Sequence, residues 1–230
     1  MINSAIKLLE KKNIVLLLLL GIMYVAFVVG DVFISGVSNI SSILKYIAIL
    51  VCLVCAITVF FQSGNVRDAR LQIVIMCFTV VADYFLLFTS YFTMGILIFL
   101  GAHLTAIYRY CASVFKICTF SVALAFVVWL VSVIAGQPID LMFCAVAAYM
   151  FTIITATIAT FIARQAPANN FLSRCGMILF LLCDVNVALY NTLPASSTFY
   201  AASMVLMWVF YLPAQTMLSM SAYDFDRERM

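Results

Sequence analysis

Residues 82–103 read ADYFLLFTSYFTMGILIFLGAH and place the carboxyl group of Asp83 and the chain's single histidine, His103, in two adjacent apolar segments. Because only a short SYFT sequence separates the segments, the pattern predicts two helices that lie antiparallel as neighbours. An ionisable group at the centre of an apolar helix costs about 2.5 to 3.5 kcal/mol on insertion scales, so it usually faces the protein interior and marks a site. A second carboxyl group, Asp184, lies in the distant run ILFLLCDVNVALY, and we expect the two aspartates to meet.

The composition predicts an integral membrane protein. The 230 residues are 67% hydrophobic and 9% charged, whereas about 25% of residues are charged in an ordinary soluble domain. Apolar runs of about 20 residues can cross a hydrocarbon core of about 30 Å as helices. No alternating β-barrel pattern is present. We therefore predict an all-α polytopic membrane protein, a bundle of eight transmembrane helices in a single domain over residues 1–230, with spans near 14–34, 43–61, 71–90, 94–112, 115–135, 139–163, 172–190 and 197–219.

The basic residues predict the orientation of the chain. In an eight-span arrangement nearly all of them fall on one side of the membrane, which the positive-inside rule identifies as cytoplasmic. The exception is Lys45, just inside the second span. Both termini are therefore expected in the cytoplasm. The residues on that side are Lys7, Lys11, Lys12, Arg67, Arg70, Arg109, Lys116, Arg164, Arg174, Arg227 and Arg229.

The eight cysteines do not predict a disulfide framework or a metal site. Most of them lie inside apolar runs, where a thiol behaves as a small hydrophobic group. Cys52 and Cys55 have CxxC spacing, but they lie within one predicted span and no second pair accompanies them.

Three titratable groups are predicted to share one layer of the membrane. Asp83 and Asp184 each lie about 12 residues from the cytoplasmic end of their span, or roughly 18 Å at the helical rise of 1.5 Å per residue. His103 lies within about a turn of that level. Each group, taken alone, can instead be structural and bonded to neighbouring hydroxyl or amide groups.

Residue spacing predicts which helix faces point inward. Small and polar residues recur at three- and four-residue intervals, which allows close helix approach around a polar side chain. The three faces are Gly95, Phe99, His103 and Ala106; Gly176, Phe180, Asp184 and Ala188; and Trp208, Tyr211, Gln215 and Ser219. The last of these can form either a packing face or the wall of a pocket.

Lys45 and Asp31 lie at the outer ends of the second and first spans. They can pair across their loop or line a cavity mouth, and Lys45 alone can instead extend to the membrane interface. One histidine with two aspartates offers a conceivable ligand set for a metal ion, but an acid and base pair is favoured. We predict no metal site.

Three stretches resemble the YhhN family, the bacterial relatives of the mammalian transmembrane lysoplasmalogenases. They are ADYFLLF followed by GILIFLGAHLTAIY, SRCGMILFLLCDVNVAL, and MWVFYLPAQTMLSMS, and the resemblance covers about spans two to eight. The chain departs from the family pattern at Ala82 and Cys183, where Gly and Ser are common, and at Tyr46, where Pro is frequent. These departures leave the ionisable residues unchanged.

The resemblance implies hydrolysis of the vinyl-ether bond of lysoplasmalogens to a fatty aldehyde and a glycerophospho-alcohol. This reaction needs a proton donor, stabilisation of a cation and a water molecule. In a pair of carboxyl groups, the neutral one can donate the proton, while the ionised one stabilises the cation and orients the water. Asp83 and Asp184 are the predicted pair, with either one as the acid, and His103 orients Asp83 or relays protons. Tyr211 and Gln215 are predicted to hold the head group or the water, and Lys45 to attract the phosphate.

The expected partners are a lysophospholipid substrate and membrane lipids, with no nucleic acid and no cofactor. The resemblance further implies the cell membrane of a bacterium. Two other functions fit the same residues. Intramembrane carboxyl groups also serve small proton-coupled transporters, although the paired Gly/Pro interruptions of broken helices are missing. A non-catalytic lipid-binding protein would leave both aspartates replaceable.

Overall fold

A computed structural model describes residues 11–33, 38–136 and 139–225, and these residues form eight α-helices with no β-strand. Each helix is long and apolar enough to cross a membrane, as predicted. The orientation of the termini stays a prediction, and Lys7, Arg227 and Arg229 lie outside the described residues. The helices are α1 (Lys11–Phe33), α2 (Ser38–Phe60), α3 (Val66–Phe88), α4 (Phe92–Tyr110), α5 (Ala112–Ile134), α6 (Leu141–Ile162), α7 (Pro167–Thr192) and α8 (Thr198–Met220).

Three helices begin five residues earlier than the hydropathy pattern predicts, and the first of them, α2, starts at Ser38 rather than at residue 43. Helix α3 starts at Val66 rather than at residue 71, and α7 starts at Pro167 rather than at residue 172. Their first turns carry polar residues such as Arg67 and Asn169. Hydropathy detects the part of a helix that suits hydrocarbon, whereas the backbone hydrogen bonds continue into the polar margin. Proline at the first turn of α7 fits this start, since its missing N–H is not needed there.

The described residues divide into two compact units. The first unit contains the residues up to Ile73 and those from Gln165 onward, and therefore α1, α2, the start of α3, α7 and α8. The second unit runs from Val74 to Arg164 and contains the rest of α3 with α4, α5 and α6. The expectation of a single domain over the whole chain stays a prediction.

In the second unit, a short connection brings α3 and α4 into close contact, as predicted. Helix α3 ends at Phe88 and α4 begins at Phe92. A Cβ atom added to Gly95 would lie 2.7 Å from the Leu86 side chain and 3.3 Å from the carbonyl oxygen of Ala82. Glycine is therefore required for the close approach of the two helices beside Asp83.

In the first unit, α7 and α8 pack together at a second glycine. A Cβ atom added to Gly176 would lie 2.8 Å from the Leu218 side chain and 3.3 Å from the carbonyl oxygen of Ala214. The Asn169 side-chain amide also donates hydrogen bonds to the carbonyl oxygens of Ser221 and Tyr223, at 2.7 and 2.8 Å. These contacts fix the backbone of α8 next to α7.

A proline inside α8 leaves one backbone carbonyl oxygen without its helical hydrogen bond, and a side chain of α1 donates a hydrogen bond to that oxygen instead. Pro213 has no N–H, so the carbonyl oxygen of Val209, four residues earlier, lacks its helical donor. The Tyr24 hydroxyl group of α1 donates to this oxygen at 3.2 Å. In hydrocarbon an unpaired carbonyl is costly, so this contact holds α1 against α8.

The substitution Tyr24→Phe is expected to lower the free energy of unfolding by about 1 kcal/mol, because it leaves the Val209 carbonyl without a donor. In a Pro213→Ala background the new N–H of residue 213 supplies that donor, so Tyr24→Phe should have a much smaller effect. A double-mutant cycle measured by unfolding in mixed micelles tests this coupling. Equal effects in both backgrounds would contradict it.

Candidate functional site

The first unit contains a buried ion pair between α1 and α2. Lys45 Nζ lies 2.6 Å from Asp31 Oδ2, and the two side chains are only 10% and 17% exposed. The Ser41 hydroxyl group donates to the other carboxylate oxygen of Asp31 at 2.5 Å. The predicted pairing of Lys45 with Asp31 is thus confirmed, and Lys45 does not extend to the surface.

Aromatic rings surround the ammonium group of Lys45. Its Nζ atom lies 4.6 Å from the centre of the Trp208 ring and 5.8 Å from the centre of the Phe27 ring. A cation within about 6 Å of an aromatic face is attracted to the ring, most strongly to tryptophan. The ammonium group is therefore held by a carboxylate and by two π-systems, in a position that sequence spacing did not indicate.

A continuous row of aromatic side chains leads from this ion pair to α7. Each neighbouring pair of rings makes an edge-to-face contact, with ring centres 5.4 to 6.0 Å apart. Such contacts fix ring orientation as well as burying area. In order, the row contains Tyr24, Phe27, Trp208, Tyr211 and Phe180.

The predicted polar and aromatic face of α8 is largely buried. Tyr211, Gln215 and Ser219 are buried, and Trp208 is half-buried. Gln215 is 0% exposed, and neither its Nε2 nor its Oε1 atom has a hydrogen-bond partner within the part of the chain that the structure describes. Most buried polar side-chain atoms in proteins are hydrogen-bonded, so this amide is an exception that needs a physical explanation.

The predicted face of α7 is confirmed only in part. Gly176 and Phe180 are buried and Asp184 is half-buried, but Ala188 is exposed, so its expected inward position is wrong. Four residues turn a helix by about 400°, so a strict four-residue spacing drifts by about 40° per step. The buried residues near the end of α7 are instead Cys183 and Asn186.

His103 lies in a buried aromatic cluster of the second unit. It is 1% exposed, and its Nε2 atom lies 3.2 Å from the Tyr149 hydroxyl oxygen. The Phe99 ring stacks at 6.4 Å between ring centres. The predicted inward face of α4 is confirmed, since Gly95, Phe99, His103 and Ala106 are all buried. The contact of His103 with Tyr149 of α6 was not predicted. The small residues Ala145 and Ala148, which precede Tyr149 on the buried face of α6, could have indicated that Tyr149 points inward.

The two aspartates lie in different units. Asp83 of the second unit is 4% exposed, whereas Asp184 of the first unit is half-buried. The meeting of their carboxyl groups therefore stays a prediction. Within residues 11–33, 38–136 and 139–225, no group of three or more His, Cys, Asp or Glu side chains is arranged to hold a metal ion. None of the eight cysteines, all of which are described, forms a disulfide bond.

An apolar groove lies between α1 and α8, next to the aromatic row. Its volume is about 240 Å³, and its walls include Gly21 and Tyr24 of α1 with Leu212 and Pro213 of α8. The sides of the eight helices also expose many large apolar residues, as expected of surfaces in contact with lipid. A hydrocarbon chain fits the chemistry of this groove.

The comparisons with known proteins give one match. The model of the YhhN family matches residues 40–222, which include Lys45, both aspartates, His103 and the buried face of α8. No curated protein and no solved structure matches the chain.

The ion pair gives a prediction about stability. Asp31→Asn is expected to lower the free energy of unfolding by about 3 kcal/mol, because it leaves the buried ammonium group of Lys45 without its counter-charge. Adding Lys45→Met to that variant should recover much of the loss, since no unpaired charge then remains. Unfolding measurements on both variants test this, and a further loss in the double variant would contradict it.

The histidine contact gives a second prediction. Tyr149→Phe keeps the ring but removes the hydroxyl group next to His103 Nε2, and we expect a loss of about 1 kcal/mol in the free energy of unfolding. Tyr91→Phe, at a tyrosine that is 65% exposed, is the matched control and should change little. Equal unfolding curves for Tyr149→Phe and the wild type would show that the contact contributes nothing.

Proposed function

Because the chain belongs to the YhhN family, we propose that it is a membrane-embedded hydrolase that cleaves the vinyl-ether bond of lysoplasmalogens. The products are a fatty aldehyde and a glycerophospho-alcohol, and the proposed location is the cell membrane of a bacterium. The observation that carries the proposal is Asp83, an ionisable residue that is only 4% exposed within an apolar membrane-spanning helix. An ionisable residue inside a membrane-spanning segment most often marks a functional site.

The reaction needs a carboxyl group that carries a proton at neutral pH, a state that water-poor surroundings favour. This group transfers its proton to the alkenyl carbon farther from the ether oxygen, which leaves an oxocarbenium ion. A second carboxylate stabilises this cation and takes a proton from a water molecule as the water oxygen attacks the carbon. The resulting hemiacetal loses the glycerol oxygen, which takes up the hydroxyl proton, and the aldehyde is released.

We assign the two carboxyl groups to Asp83 and Asp184. After one turnover the proton has moved from one aspartate to the other, so it must return before the next cycle. His103, buried and 3.2 Å from the Tyr149 hydroxyl group, is the proposed relay or orienting group. One molecule of water is consumed, and no other reactant is required.

Lys45 is the proposed binding group for the phosphate of the substrate. An ammonium group has three N–H donors, and the Asp31 carboxylate at 2.6 Å uses one of them. The ammonium group is buried against the Trp208 and Phe27 rings, and in such water-poor surroundings a charge-assisted hydrogen bond from a remaining donor is strong. Tyr211 lies on the aromatic row between Trp208 and Phe180 and is proposed to line the head-group side of the site.

A lipid substrate can reach such a site from within the bilayer. The groove between α1 and α8 adjoins Tyr24, the first ring of the aromatic row. A single alkenyl chain in this groove would keep its head group near Lys45. A proton-coupled transporter fits less well, because α8 continues as one helix through Pro213 and broken helices are typical of transporters.

The two aspartates provide the test of this function. In purified protein with a lysoplasmalogen, Asp83→Asn and Asp184→Asn are each expected to lower the rate of aldehyde release by at least about 100-fold, the usual contribution of a general acid or base. The double variant should be little worse than the single ones, because the two groups act as a unit.

Asp140→Asn is the matched control. Asp140 caps the start of α6 through a 3.0 Å hydrogen bond from the Met142 N–H, and asparagine caps helices as well as aspartate does. This variant should keep full activity. Full activity in Asp83→Asn or Asp184→Asn would remove that residue from the mechanism. Folded wild-type protein that releases no aldehyde would rule out the proposed function, and proton-coupled flux in liposomes would then favour the transporter.

A further inference from the structure

We propose that Gln215 binds the free hydroxyl group on the central glycerol carbon of the substrate and thereby selects lysolipids over lipids with two chains. This inference rests on the proposed function, because it assumes that a glycerophospholipid enters the first unit. In this proposal, the buried Gln215 side chain distinguishes a lipid with a free hydroxyl group on the central glycerol carbon from a lipid in which that oxygen is esterified.

The first step is the chemistry of the unpartnered amide. Gln215 is 0% exposed, and both its donor atom Nε2 and its acceptor atom Oε1 lack a partner in the described residues. A buried polar group that loses its water without gaining a partner destabilises the fold. A hydroxyl group both donates and accepts, so a single hydroxyl group can satisfy the two amide atoms together.

The second step is the position of this amide relative to the ion pair. Gln215 lies seven residues after Trp208, and therefore on the same face of α8 and about 10 Å farther along the helix. Lys45 Nζ lies over the Trp208 ring. We therefore assign the phosphate to Lys45 and the free hydroxyl group on the adjacent glycerol carbon to Gln215.

The third step is the rigidity of the surrounding backbone. The carbonyl oxygen of Ala214, the residue before Gln215, lies so close to Gly176 that a Cβ atom there would be 3.3 Å away. Tyr211, one turn before Gln215, is held between the Trp208 and Phe180 rings. These contacts fix the position of Gln215 on α8. Esterification of the central oxygen removes the O–H donor, which leaves Oε1 of Gln215 unpaired.

A binding experiment tests the inference without turnover. The ligands are a 1-O-alkyl lysophospholipid, which has no vinyl ether, and its analogue with a methoxy group in place of the free hydroxyl. In a Trp129→Phe background, Trp208 is the only tryptophan in the sequence, so quenching or shift of its fluorescence reports binding beside it. The wild type should bind the hydroxyl ligand on the order of 10- to 100-fold more tightly than the methoxy ligand, because the methoxy oxygen can accept from Nε2 but has no O–H to donate to Oε1.

Gln215→Met is the test variant, since methionine has a similar length and shape but no amide. Its preference for the hydroxyl ligand should fall to within about threefold, with little change in affinity for the methoxy ligand. Thr119→Val is the matched control. It removes a hydroxyl group in the second unit that is bonded in the same way, to the Phe115 carbonyl oxygen at 2.8 Å, and should keep the wild-type preference.

Thermal unfolding of the wild type and Gln215→Met without ligand is a second, independent test. Removing an unpaired buried amide should leave the melting temperature of Gln215→Met unchanged or raise it by a few degrees. A fall of several degrees would mean that the amide stabilises the protein through an enclosed water, and would overturn the proposal. Equal hydroxyl preference in wild type and Gln215→Met would overturn it too.

The two proposals can fail separately. If the wild type prefers the hydroxyl ligand and Gln215→Met does not, hydroxyl recognition stands even when no aldehyde is released, and only the hydrolase is ruled out. If aldehyde is released and the preference survives in Gln215→Met, the hydrolase stands and the role of Gln215 is refuted.

Discussion

Polar groups in these eight helices must find partners inside the protein, because hydrocarbon offers no hydrogen bonds. The most direct example is Pro213, whose missing N–H frees the Val209 carbonyl oxygen for the Tyr24 hydroxyl group. A local defect of one helix thus becomes a contact between two helices. The same constraint explains why Lys45 is paired with Asp31 rather than left alone between α1 and α2.

The polar residues can be ranked by how completely this constraint is met. The Lys45–Asp31 pair has a carboxylate, a hydroxyl donor and two aromatic faces. Gln215 is the opposite case, with full burial and no partner on either amide atom among the described residues. Both lie in the first unit, one with α1 and α2 and the other on α8, and the aromatic row connects their surroundings. The Lys45–Asp31 pair therefore needs no further partner, whereas the Gln215 amide can still gain two hydrogen bonds.

Several features of the site could be predicted from the sequence because they depend on residue spacing within one helix. The inward face of α4, from Gly95 to Ala106, follows from three- and four-residue intervals, and so does the buried end of α8. The same rule was wrong at Ala188, where a rigid four-residue repeat drifts away from the true helical period. Tyr149 was missed because a tyrosine in an apolar helix gives no sign of which side chain on another helix it contacts.

The sequence alone determined that residues 11–225, apart from the two short undescribed stretches, form eight helices long and apolar enough to cross a membrane, since length and hydropathy decide this property. It also identified the ionisable residues, because each is costly in an apolar segment. Only the tertiary structure decided that Lys45 lies over Trp208, that His103 contacts Tyr149 and that the Gln215 amide has no hydrogen-bond partner among the described residues. These facts depend on how far each helix is rotated and shifted against its neighbours. Side-chain packing sets that rotation across residues far apart in the chain, and no local pattern encodes it.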